Sequence, residues 1–453
     1  MRNLKTNSKC MMIDKIRSLR GKRLLLLGGS VWKEAIVQFA NEQEIILIAT
    51  GSDSSAGIFE IAEECYHVNS TDCEAVKRLI AEKKIDGVYM GGSEPVISAA
   101  SSYLNELNMP CYCTHEQWNS LQNKHLFKKL CVENGLPVVP EYHINPRNMK
   151  ESIPEQEYPV VTKPSDGCGS MGFSVCHNAD ELRQGYDCAV KASPTGGVIV
   201  EKYVNNQSVG VFYTFSNGEM HFAGLEDKYP VKYKAQGSYV AGLFLFESRF
   251  STEFREKFEN KIKAVFDRVG IKEGSVWIEV FHAGEDYYFN EVGYRCGGSV
   301  SIYPVDYFYG INQVAADIYY ALTGESRLKG FRSLIDASVA RGKYYGIYPV
   351  HLNAGKIEKI IGMEELMKLP NVVTVPVTKK LGDKIASSGT FAQVYALVHF
   401  VFDTDEALKK TVDLVHKILY IKDENGHNMV NRMMEIQDAV IKLCAPIPQT
   451  GGL

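Results

Sequence analysis

The chain has 453 residues, enough for two or three domains with a large buried core. Lys and Arg total 50 against 54 Asp and Glu, a formal net charge of −4 without blocks of like charge. That balance offers no electrostatic footprint for nucleic acid or an anionic membrane, so small-molecule partners are expected. Eleven scattered cysteines, an odd number with no paired CxxC modules, predict free thiols in a reducing, cytoplasmic setting. No run approaches the roughly 20 apolar residues of a membrane helix, and FAQVYALVHFVF is too short and too polar.

From Arg23 to Cys113 the pattern alternates. LLLLGG, IILIAT, DGVYMGG and PCYCT read as strands, and the segments Trp32 to Asn41, Ala75 to Glu82 and Ile97 to Leu107 read as helices between them. Short apolar runs separated by amphipathic helices predict a doubly wound parallel sheet. Gly28, Gly29 and Asp53 invite a dinucleotide reading. GGSVWKE lacks the third glycine, however, and Trp32 would crowd a pyrophosphate. Cys111 and Cys113, alternating with Tyr112, are expected to be buried thiols rather than metal ligands.

Next comes KPSDGCGSMGFSVC, where Gly167, Gly169 and Gly172 spell G-x-G-x-x-G. PVVTKP before it is extended and FSVC after it alternates like a strand, so the glycines join two strands as a hairpin and open no helix. Such a hairpin can cover the phosphates of ATP, with backbone N–H groups and the Ser170 hydroxyl approaching their oxygens. No G-x-x-x-x-G-K-[ST] is present, and neither are the HRD and DFG signatures of protein kinases.

Further along, SVWIEVFHAGEDYYFNEVGYRCGGS reads as two strands joined by a glycine-containing turn, with Glu279 on the first and Glu291 on the second. On adjacent antiparallel strands two carboxylates can converge, and oxygen ligands are what Mg²⁺ requires. Glu285 and Asp286 of the turn are read as solvated. No Ser-His-Asp spacing is recognisable, and His115, His143, His221 and His282 are read as structural or surface residues.

Taken in order, these segments resemble the ATP-grasp superfamily, in its carboxylate-amine ligase (amino-acid ligase-like) branch. The resemblance begins at NKHLFKKLCVENGLPVVPEY, similar to the family's entry segment, and implies that Lys124 is the first phosphate lysine. It makes Lys163 in VVTKP the second, a point charge on a flexible stem directed at the α and β phosphates. GGVIVEKYVNNQSVGV resembles the adenine hinge, which implies adenine contacts at Glu201 and Val204 with Tyr203 beside them. Where most relatives place a ribose glutamate, this chain has Ser208. Glu279 and Glu291 become the metal ligands and Arg295 the residue that grips a substrate carboxylate or acyl phosphate, as in the family's E-x-N-x-R-x-x-G ending. Gly293 stands where that pattern has asparagine, and Asn290 or water is left to fill the place. GLEDKYPVKYKAQGSYVAGLF reads as a loop over the active site supplying a basic residue to phosphate. Lys228 is the candidate, with Lys232 and Lys234 close behind.

The resemblance implies an α/β chain, α+β in the ATP-binding part, with an ATP-grasp fold. The expected division is an N-terminal α/β domain over 1–115, an ATP-grasp domain over 116–325 and a C-terminal α/β lid region over 326–453. It further implies ATP with Mg²⁺, or Mn²⁺ in its place, and a carboxylic acid and an amine as substrates, amino acids among them. A homodimer is allowed. The expected reaction forms an acyl phosphate and releases ADP and phosphate, with a bicarbonate-activating carboxylase and a non-catalytic ATP-binding module as the rival readings.

Overall fold

The computed structural model describes residues 17–53, 56–166, 172–205, 207–232 and 239–432. Its first region holds β1 (Arg23–Leu26), α1 (Lys33–Gln43), β2 (Ile46–Thr50), β3 (Glu64–Tyr66), α2 (Cys73–Glu82), β4 (Gly87–Tyr89) and α3 (Glu94–Glu106). The strands form a parallel sheet in the order β3-β2-β1-β4. The reversal of strand order at β1 is the doubly wound pattern that the alternation predicts. Two local readings need correction. The third strand is the short ECY segment, whose three residues carry too little periodicity to be seen. PCYC forms no strand; it runs irregularly between α3 and α4 (His115–Gln122), where Tyr112 donates to the Tyr294 carbonyl at 3.2 Å. The described cysteines are all free.

Helix α5 (Lys124–Glu133) begins at Asn123, whose side chain accepts from the His125 and Leu126 N–H groups and so satisfies two of the first-turn donors. After α6 (Met149–Ser152) comes a small antiparallel sheet of β5 (Val160–Pro164), β6 (Ser174–Cys176) and β7 (Val198–Lys202), ordered β6-β5-β7 and backed by α7 (Ala179–Ala192). Met149, Ile153, Val160, Cys176, Leu182 and Val200 give this sheet its own core.

Eight of the remaining strands build one sheet, β12-β11-β8-β9-β10-β13-β18-β16, and the other four form the two-stranded pairs β14-β17 and β15-β19. The large sheet contains β8 (Gln207–Ser216), β9 (Glu219–Lys232), β10 (Tyr239–Phe246), β11 (Gly274–Ala283), β12 (Asp286–Gly293) and β13 (Tyr344–His351). Helices α8 (Ser251–Val269), α9 (Ile302–Tyr309) and α10 (Gln313–Thr323) fall among them. The C-terminal part adds β14 (Gly355–Lys356), β15 (Lys359–Ile361), α11 (Met363–Met367), β16 (Val372–Thr374), β17 (Lys384–Ile385), β18 (Val394–Phe402), α12 (Asp405–Ile418) and β19 (Tyr420–Lys422). Strand β18 is buried along its whole length, which is why its sequence is continuously apolar rather than alternating. Because β13, β18 and β16 extend the sheet of β8 to β12, the C-terminal region is built onto the same sheet.

The segment expected to be a loop around Lys228 is instead strand β9, paired with β8 and β10 as far as Lys232. Its lysines and tyrosines suggested solvent, but Tyr229 and Val231 are buried on one face. Pro230, which cannot donate to a ladder, sits where the pairing with β10 shifts register. Residues 233–238, which include Lys234, lie outside the described residues, as do Gly167, Gly169 and Ser170.

A single apolar cluster runs from Leu25, Val88 and Ile97 through Trp118 and Phe127 to Phe254 and Phe258 of α8 and Ile278 and Phe289 of the large sheet. Each such side chain contributes roughly 1.5–3 kcal/mol of burial. The first region and the large sheet are thereby packed as one body, with the facing polar residues held in register.

Candidate active site

The two carboxylates expected to converge do so. Glu279 on β11 lies directly opposite Glu291 on β12 in the antiparallel register. Immediately beyond, the register shifts: Val280 faces Phe289, leaving Asn290 as the extra residue of a bulge. The bulge turns Asn290 toward the same face as the carboxylates. Its Nδ2 donates to Glu279 at 2.8 Å and its Oδ1 accepts from Lys163 at 2.8 Å.

Gly293 is explained by its neighbour across the ladder. A Cβ there would lie 2.0 Å from the Trp277 indole nitrogen, so Trp277 fills the space that a side chain at 293 would need. An amide does face the carboxylates, from three residues before Gly293 and through a bulge instead of through strand alternation.

Lys228 on β9 donates to Glu279 at 2.7 Å, and the Ser208 hydroxyl donates to the same oxygen at 3.0 Å. Burial raises the Glu279 pKa, but Lys228, Asn290 and Ser208 outweigh it and hold the carboxyl well below its usual range. Glu291 shifts the other way, pushed up by burial and by the Glu279 charge, with Lys124, Lys163 and Lys228 only partly offsetting them. Lys124, the first residue of α5, approaches Glu291 at 3.7 Å.

Lys163 on β5, expected from the resemblance to be the second phosphate lysine, is buried and bonded to Glu201 at 2.5 Å as well as to Asn290. It therefore ties the small sheet to the large one. Glu201 on β7 is 4% exposed and also accepts from Lys128 of α5 at 2.6 Å. At the hinge the Lys202 N–H donates to the Pro140 carbonyl and the Tyr203 N–H to the Pro159 carbonyl. Tyr203 and Val204 are half-buried beyond the strand end.

Arg295 extends toward the first region. One guanidinium nitrogen donates to Glu94 at 2.9 Å, another to the Cys296 carbonyl at 3.0 Å, and its buried Nε has no hydrogen-bond partner among the described residues. Both cations approach Trp277, with the Arg295 guanidinium 5.4 Å and the Lys228 ammonium 5.7 Å from its ring centroid. Of the glycine loop, only Gly172 is described. Its φ of +73° is left-handed, and a Cβ would lie 2.6 Å from that of Ala192. Gly172→Val is therefore expected to weaken nucleotide binding by about tenfold and to lower Tm by several degrees, since strain and overpacking each cost on the order of 1–3 kcal/mol. Nucleotide titration and thermal unfolding check both effects.

Sequence reasoning missed several residues of this site. Lys128 had a signal in its i,i+4 spacing from Lys124, which puts both on one face of α5. Glu141, 2.8 Å from Lys128, had none. Glu226 lies across Gly210 from Glu279 in the register of β11, β8 and β9. Burial holds its carboxyl at about 7, with the Ser299 hydroxyl donating to it at 2.9 Å.

An anionic carboxyl pair with an amide oxygen and no sulfur or imidazole suits a hard cation. Among the described residues no group of three or more His, Cys, Asp or Glu could hold a metal by itself. No helix among the described residues is long and apolar enough to cross a membrane.

Comparison with known proteins places this arrangement. The ATP-grasp domain family matches residues 156–302, which contain the small sheet of β5, β6 and β7 and the two carboxylates on β11 and β12. Those residues thus match an ATP-grasp domain, and the fold is the ATP-grasp fold. A phosphoribosylamine–glycine ligase of Methanopyrus kandleri is 26% identical over 210 residues, 44% of this chain and 46% of the relative. The match therefore spans less than half of that relative's length. A formate-dependent phosphoribosylglycinamide formyltransferase of Bacillus velezensis is 25% identical over 286 residues, 61% of this chain and 71% of the relative. Among solved structures, an L-amino acid ligase from Bacillus licheniformis superposes with a TM-score of 0.70 at 20% identity, covering 90% of this chain and all of the other. At that identity the likeness establishes the fold alone.

Proposed function

We propose that this protein is an ADP-forming ligase that activates a substrate carboxylate as an acyl phosphate and joins it to an amine. The observation that carries the reading is the meeting of Lys163, Asn290, Glu279 and Lys228 in one chain of hydrogen bonds, with Lys124 and Glu291 beside it. Phosphoryl transfer needs little covalent chemistry from the protein. It needs fixed positive charge around the phosphates and a place for Mg²⁺, or Mn²⁺, between carboxylates.

In this reading Lys124 and Lys163 hold the nucleotide phosphates under the glycine hairpin of Gly167, Gly169, Ser170 and Gly172. The hinge from Glu201 to Val204 reads adenine, with Tyr203 against the ring. Ser208 remains on the ribose side: its proton is spent on Glu279, and its lone pairs can accept from a sugar hydroxyl. Glu279 and Glu291, with the Asn290 oxygen once Lys163 leaves it, would ligate the cation, which supplies charge neutralisation at the transferred phosphoryl group. The substrate carboxylate oxygen takes the γ-phosphoryl group and ADP departs. The amine nitrogen then attacks the acyl carbon, loses a proton and expels phosphate. Arg295 holds the acyl group by its planar fork and stabilises the oxyanion between these steps, and Lys228 neutralises the phosphate. The relatives' printed names, an amine–glycine ligase and an L-amino acid ligase, agree with a small acid and a small amine, amino acids among them.

The test is a screen of acid and amine pairs for nucleotide product, with hydroxylamine present in parallel. ADP and phosphate are expected, together with a hydroxamate of the activated acid. Stoichiometric AMP would defeat the reading, because it places attack at the α-phosphate. Turnover that requires bicarbonate and no organic acid would instead assign a carboxylase.

A further inference from the structure

Lys163 spends two of its three N–H donors on Glu201 and Asn290, so only one is left for a phosphate oxygen while both bonds last. That carboxylate is almost completely buried and divides its two oxygens between two lysines: Oε1 accepts from Lys163 at 2.5 Å and Oε2 from Lys128 at 2.6 Å. Lys128 is itself 5% exposed and also reaches Glu141 at 2.8 Å, so it lies between two carboxylates. Lys163 has a second partner in Asn290. The order along the contact chain is Glu141, Lys128, Glu201, Lys163, Asn290, Glu279, alternating in sign except at the amide.

An isolated carboxylate is costly in a low-dielectric interior, and removing its partner is far more damaging than the pair is stabilising. If Lys163 moves away from Glu201, some other cation must already neutralise that charge. Lys128 is placed to do so: it is held on α5 by the helix that also carries Lys124, one turn earlier on the same face. Burial lowers the Lys163 pKa, with Glu201 opposing that shift and Lys128 adding to it, so the neighbouring lysine also weakens the hold of this position on Lys163.

We propose that Lys128 is a positioning residue for nucleotide binding, carrying the Glu201 charge so that Lys163 can exchange that carboxylate for phosphate oxygens. The inference rests on Lys163 being a phosphate lysine and goes beyond it, because Lys128 itself touches no phosphate in this account. It predicts a coupling between two buried residues that a merely structural ion pair would not produce.

The experiment measures Mg²⁺-ATP affinity of the full chain by calorimetry for wild type, Lys128→Met, Glu201→Gln and the double variant. Lys128→Met is expected to weaken binding by about tenfold or more, because Lys163 stays on Glu201. Glu201→Gln leaves in place the hinge backbone that reads adenine and is expected to bind at least as tightly as wild type, since no carboxylate competes and Glu141 and Asn290 still partner the two lysines. The double variant should return to within about threefold of Glu201→Gln. Glu141→Gln, at a partly exposed position, leaves Lys128 to Glu201 and should bind ATP as tightly as wild type or more so. Loss in Lys128→Met that the double variant does not relieve, or no loss at all, overturns the proposal. If Lys128→Met does not fold, a more than fivefold weakening in Glu141→Gln overturns it equally. Wild type that binds no ATP would defeat the nucleotide reading itself, an outcome separate from both.

Discussion

Glu279→Gln is expected to lower ADP formation by at least about 10³-fold while leaving nucleotide binding measurable, since a neutral amide cannot compensate the charge of a divalent cation as a carboxylate does. Glu291→Gln should have a comparable effect. The amide keeps the shape of the site, and that matters at Glu279, where Lys228, Ser208 and Asn290 all converge on its two oxygens. The substitution reverses part of this arrangement, because Lys228 loses its hydrogen-bonded partner and keeps the nearby Glu226 and Glu291 charges. A cost of roughly 3 kcal/mol in stability is expected at Glu279 and less at Glu291, whose side chain is 36% exposed. Denaturant unfolding separates that loss from the catalytic one. Turnover close to wild type in both variants, with Mg²⁺ limiting, would remove the metal assignment.

Arg295→Lys should reduce product formation by about 10²-fold with less than about threefold change in ATP affinity. The substitution keeps the positive charge. What it loses is the planar fork, whose nitrogens reach Glu94 and the Cys296 carbonyl while Nε remains buried and without a partner. An ammonium on a shorter stem can satisfy one of these contacts but cannot grip two oxygens of an acyl phosphate. The expected signature is a fall in kcat/KM for the acid with ADP release persisting through hydrolysis of the unprotected intermediate. Measuring ADP and coupled product in the same reaction gives the ratio. An unchanged ratio would take Arg295 out of the second half of the reaction.

Much of the site was legible because it is written in local patterns. A lysine at a strand end followed by a glycine hairpin, and two glutamates flanking a turn, are signals that strand geometry translates directly into position. Lys163 and Glu279 met these expectations of place, and Glu291 lies opposite its partner. Lys228 illustrates the opposite case. Its chemistry suggested a mobile loop, yet pairing with both neighbours makes it part of a strand. β-structure depends on what lies alongside, and flanking lysines and tyrosines do not report that.

By itself, then, the amino-acid sequence determined the class of fold and the identity of the charged residues, because alternation, helical periodicity and glycine placement act over a few residues. Only the tertiary structure decided which charges meet. A register shift brings Asn290 onto Glu279, and Trp277, opposite Gly293, closes the position where an amide would otherwise stand. Lys128 and Glu201 are 73 residues apart in the chain and Glu226 reaches the site across a neighbouring strand. Bulges, cross-strand volume and long-range ion pairs depend on the register between segments. That register is set by burial of the whole sheet, a quantity no single stretch of sequence contains.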